Sequence, residues 1–149
     1  MLFQEIILTR IFSVAMYYHF AFMVVSITLF GIGVSGVYIY LNSERFPSEK
    51  AAGQMAWASK LYAFSVPICF LLQRALPSAP DSPNFGALYL GLTYLIIAVP
   101  FFFGGMAVSL ALTHFSRNVS TIYFADLVGA SLGCALVFPG LTFFTGTDL

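Results

Sequence analysis

Charge is what this sequence has least of. Only 6 Lys+Arg and 6 Asp+Glu occur among its 149 residues, 8% of the chain, and they cancel to a formal net charge of zero. A water-facing domain carries roughly 25% charged residues, so there is too little polar material here to cover a soluble surface. Composition excludes a disordered chain, a nucleic-acid binder, a collagen-like chain and an ordinary cytosolic enzyme. Zero net charge also removes any long-range field for a polyanionic partner. Cysteine is scarce too. Cys69 and Cys134 both sit in apolar runs, without a CxxC pair or Cys/His ligand spacing, so neither a disulfide framework nor a metal site is expected. Enzyme signatures are scarce as well: no HExxH, no Walker lysine and no paired catalytic carboxylates. No catalytic residue and no cofactor is assigned on this reading.

What is present is apolar length. Sixty per cent of the residues are hydrophobic (60%), 17% are aromatic, and mean hydropathy is +0.92. No charged residue occurs from Ile11 to Leu41, from Ser82 to Ser116 or from Leu127 to Thr147. Each run exceeds the about 20 residues that a helix needs to cross a bilayer. A fourth span emerges between Ala51 and Arg74 if Lys60 snorkels its ammonium to the headgroups, with Trp57 in the interfacial belt. The expected fold is all-α: a polytopic transmembrane helix bundle with four full spans, near 14–41, 53–75, 86–114 and 121–145, plus a partial helix over 1–13. The runs are too long for barrel strands, and strict alternation is absent. The connections read as loops. Residues 42–50 are polar, 76–84 hold three prolines, and 114–120 form a short turn with Asn118 or Ser120 as helix N-cap. Arg45 and Lys50 in the first loop and Arg117 in the third place both in the cytoplasm, and the Pro-rich second loop outside.

Inside the spans, Pro67, Pro100 and Pro139 each remove a backbone donor and predict kinks. Gly31-Ile-Gly33-Val-Ser-Gly36 spells GxGxxG, but no preceding strand and no soluble βαβ unit supplies the dinucleotide-binding context. These glycines read as a small-residue face for close helix packing, as do Ala125, Gly129 and Gly133 at four-residue spacing.

Charges at membrane depth are costly and call for a partner. Asp126 lies one to two turns inside the last span. It is either an interfacial carboxylate favoured by the helix dipole or a buried one paired to a cation on another helix. Glu5 and Arg10 are five residues apart, too far round a helix to pair with each other. His19, in Tyr17-Tyr-His-Phe20, is read as a structural hydrogen-bonding group before a proton shuttle.

The strings Glu5-Ile-Ile-Leu-Thr-Arg10 and Ala125-Asp-Leu-Val-Gly-Ala-Ser-Leu-Gly133, with Tyr18-His-Phe-Ala-Phe22 between them, resemble the membrane domain of bacterial spermidine synthase-like proteins. The resemblance implies a helical membrane region, comparable to major facilitator transporters, that precedes a soluble aminopropyltransferase-like domain. It implies a multi-pass protein of the bacterial inner membrane. Relative to that pattern the chain looks truncated before Glu5 and lacks the soluble domain, so aminopropyl transfer is not carried over. With the missing helix half restored, Glu5, Arg10 and Asp126, with His19, would form one intramembrane polar network. The expected partners are the lipid bilayer, a soluble aminopropyltransferase-like domain or further membrane helices, with an oligomer admitted and no nucleic acid. The alternative is a small transporter-like or channel-like protein for a small solute.

Overall fold

A computed structural model of the chain describes residues 1–15, 18–75, 83–115 and 119–145, without the side chains of 14–21, 74, 83–87, 138 and 140–145. Among the described residues five α-helices follow in order: α1 (Leu2–Ala15), α2 (Tyr18–Leu41), α3 (Ala51–Ala75), α4 (Pro83–His114) and α5 (Val119–Thr145). Two 3-10 turns, Ser43–Arg45 and Ser48–Lys50, join α2 to α3. Among the described residues there is no strand. Four of the helices contain stretches long and apolar enough to cross a membrane: Phe22–Leu41, Ser48–Gln73, Leu88–His114 and Val119–Val137. The chain is therefore an all-α, multi-pass integral membrane protein with a short N-terminal helix.

The start of each span differs from the sequence expectation; α3 begins at Ala51, two residues before 53. Residues 14 and 15 belong to α1 rather than to the first span, because hydropathy runs unbroken from Ile11 to Leu41 and carries no mark where one helix ends. Helix α4 starts at Pro83 instead of near 86, since a proline in the first turn lacks only a donor that has no acceptor there. Helix α5 starts at Val119, so Ser120 lies within the helix and is not its cap, while Asn118 falls outside the described residues.

The α2–α3 connection shows how the chain turns at the membrane surface. Asn42 ends α2 by donating twice to the Tyr38 carbonyl, from its backbone N–H at 3.1 Å and from Nδ2 at 3.0 Å. The Gln54 Nε2 of α3 then donates to the Arg45 carbonyl at 2.9 Å, which ties the turn to the next helix.

The chain divides into two compact units, residues 1–26 with 115–149, and residues 27–114. In the second, α3 packs along α4. Ile39, Ala58, Met106 and Leu110 form its core, with Phe46, Phe102 and Phe103 against them. Tyr38 meets Phe102 edge-on at 5.8 Å and Phe46 at 6.1 Å, the geometry that aromatic quadrupoles favour. In the first unit α1 packs on α5, with Leu8 and Phe12 buried on α1 and Val137 on α5.

Hydroxyls within the helices turn back on their own backbone. Ser35 donates to Ile32 O at 2.6 Å, Ser65 to Tyr62 O at 2.9 Å and Ser131 to Leu127 O at 2.8 Å. In a medium without water this satisfies the hydroxyl locally.

Candidate functional site

The sparse charges are the natural place to begin. Glu5 is half-buried on α1, and burial pushes its carboxyl above the ordinary carboxylate range. Arg10 and Asp126 are exposed, on α1 and α5 respectively. The His19 side chain lies outside the described residues. The charges of Asp126 and Glu5 both act on the amino group of Met1. A Cβ at Gly133 would stand 3.5 Å from Phe3 Cβ, which fixes where the helices meet. Arg10 lies about 10 Å further along α1 from that contact, and Asp126 about 10 Å along α5 towards Met1, at a 1.5 Å rise per residue. Glu5 lies about 3 Å along α1 on the Arg10 side of the same contact, so this register separates Asp126 from both Glu5 and Arg10.

Sequence reasoning missed Gln4. Its side chain is only 5% exposed, and neither Nε2 nor Oε1 has a hydrogen-bond partner among the described residues. It shares a helix face with Leu8 and Phe12, at spacings of four. Searching by charge passes over a neutral amide. A polar residue on an otherwise apolar α1 stripe is the signal that could have found it.

The small-residue positions behave differently from one another. At Gly31 a Cβ would lie 2.9 Å from Phe101 Cβ and 3.2 Å from the Ala98 carbonyl oxygen, so α2 and α4 approach closely there. At Gly36 the nearest atom is Ser109 Oγ at 3.6 Å, an ordinary contact, and at Gly33 there is open space. The tightest approach is at Gly105 of α4, where an added Cβ would run into Ser35 Oγ and come 2.8 Å from the Ile32 Cα. On α5, Gly129 faces open space and Ala125 is exposed, while Gly133 touches Phe3. From Val119 to Leu136 no residue of α5 is buried.

One polar contact repairs a break in a span. Pro100 cannot donate to the carbonyl of Ile96, four residues earlier. The thiol of Cys69 on α3 donates to that oxygen at 3.3 Å. A neighbouring helix thus satisfies the group that proline frees, as the hydrocarbon medium requires. Cys69 and Cys134 are free thiols, and among the described residues no group of three His, Cys, Asp or Glu could hold a metal.

No family model, no curated protein and no solved structure matches the chain.

Proposed function

We propose that this chain is the membrane module of a spermidine synthase-like protein, not itself catalytic, which anchors or feeds a separate cytoplasmic aminopropyltransferase-like domain in the bacterial inner membrane. The supporting observation is α5. This span-length helix leaves Asp126 and the Ala125–Gly129 stripe exposed, with open space beside Gly129. A carboxylate facing hydrocarbon costs about 2.5–3.5 kcal/mol on insertion scales, and small residues let a second helix approach. Such a face fits coverage by further membrane helices of a larger protein. The strings around Glu5 and Asp126, which resemble the membrane domain of spermidine synthase-like proteins, are what supports this family for it.

The coding DNA beyond codon 149, together with affinity purification of the product from native membranes, tests the reading. An adjoining or co-purifying aminopropyltransferase-like protein supports it. Solute uptake by the purified chain in vesicles, with no such neighbour, overturns it in favour of the transporter-like alternative. That alternative draws on the prolines inside three spans, Pro67, Pro100 and Pro139, because broken helices can present backbone groups to a solute.

A further inference from the structure

Two cavities in the unit of residues 27–114 follow one another along the junction of α3 and α4. The first, about 470 Å³, opens at the α2–α3 turn and is lined by Phe46, Glu49, Lys50, Gln54, Trp57 and Met106. The second, about 290 Å³, has an entirely apolar surface that includes Leu61, Phe64, Ile68, Leu72, Val99 and Phe103. On α3 the lining positions Gln54, Trp57, Leu61, Phe64, Ile68 and Leu72 advance by three or four, and so do Val99, Phe103 and Met106 on α4. That spacing keeps them on one face of each helix. The two cavities are therefore consecutive parts of a single groove, polar at its loop end and apolar beyond. Trp57, with Tyr38 and Tyr40 exposed near the end of α2, marks the level of the membrane interface.

The polar end has a specific chemistry. It offers one charge of each sign, Glu49 and Lys50, both exposed. It also holds an acceptor with nothing to accept. Gln54 Nε2 donates to the Arg45 carbonyl, which fixes the amide orientation and leaves Gln54 Oε1 buried without a partner. A buried carbonyl oxygen calls for a donor. A primary ammonium has three N–H groups and can donate to Gln54 Oε1 and Glu49 together, while a phosphate one short linker away meets Lys50.

We propose that this groove binds a zwitterionic phospholipid with a primary ammonium, of the phosphatidylethanolamine type. Its ammonium rests on Gln54 Oε1 and Glu49, its phosphate faces Lys50, and an acyl chain lies along Leu61, Phe64, Ile68 and Leu72 against Val99 and Phe103. A quaternary choline has no N–H for Gln54. An anionic glycerol headgroup brings no cation to Glu49. The proposal does not depend on the membrane-module reading above.

Trp57 is the only tryptophan of the chain and lines the groove, so its fluorescence reports the lipid directly. The full chain is reconstituted in phosphatidylcholine vesicles that contain a minor fraction of one lipid with brominated, quenching acyl chains. That lipid is phosphatidylethanolamine, phosphatidylglycerol or phosphatidylcholine in parallel samples. Quenching by the ethanolamine lipid is expected to correspond to about threefold to fivefold enrichment over its bulk fraction, the size of one interfacial charge pair. Glu49→Gln and Gln54→Leu should each return it towards unity, with helix content unchanged by circular dichroism. Equal quenching by all three lipids shows only a boundary layer and overturns the proposal. So does stronger quenching by phosphatidylglycerol, or an enrichment that Glu49→Gln leaves intact.

Discussion

At the scale of single residues, neighbours decide what a side chain is for. Cys69 reads in the sequence as a small apolar filler. Its partner is a carbonyl that Pro100 leaves free, 27 residues away, so the contact is invisible until α3 and α4 are side by side. Cys69→Ala should lower stability by about 0.5–1.5 kcal/mol, the worth of one intramolecular hydrogen bond, whereas Cys69→Ser keeps a donor and should retain most of it. Thermal unfolding in detergent, followed by circular dichroism, measures both. Glycine makes the same point. Gly105→Ala puts a methyl group against the Ile32 backbone and should cost about 1–3 kcal/mol by overpacking. Gly33→Ala enters open space and should be neutral or gain up to about 1 kcal/mol from helix propensity. The GxGxxG spelling gave no reason to separate Gly31 from Gly33, because helical phase relative to α4 exists only in the folded unit.

At the scale of elements, hydropathy located the spans and failed at their edges. The three runs free of charge became α2, α4 and α5, and the span holding Lys60 became α3, since a helix is the one local structure that satisfies its own backbone in hydrocarbon. Ends are set by caps and turns that cost little hydropathy: Pro83 opening α4, Asn42 closing α2. Helix α5 is the element whose partner is least provided for within the chain. Gly129→Leu should leave the thermal stability of the isolated chain within about 0.5 kcal/mol while lowering association through this face about tenfold, about 1.4 kcal/mol. Chemical crosslinking in native membranes, scored as the crosslinked fraction, reads the association. Asp126→Asn should act in the same direction if a cation on a covering helix meets it. The candidate network was legible in the sequence only as a set of charges out of place. Sequence spacing within α1 separated Glu5 from Arg10, but it could not show that Gln4 is buried without a partner on the same helix.

At the scale of the whole molecule, the prediction is one of orientation. With both the α2–α3 and α4–α5 connections cytoplasmic, a cysteine placed at Ser78 should react with a membrane-impermeant thiol reagent added to intact cells. One placed at Ser43 should react only after permeabilisation. Both are made in a chain whose Cys69 and Cys134 have been replaced by serine. Equal reactivity of the two sites from outside would contradict the charge rule for this chain. The class of the protein is written in its composition: 12 charges in 149 residues, spaced to leave apolar runs of bilayer length, specify a multi-pass helical membrane protein, because transfer to hydrocarbon is a sum over local composition. Packing between helices is what shows which glycines are needed, which carbonyl Cys69 satisfies, and that a polar-ended and an apolar cavity lie in line along α3 and α4. Those depend on contacts between helices, and a contact requires both the phase of each helix and the identity of its neighbour. Neither is contained in the hydropathy of a single span.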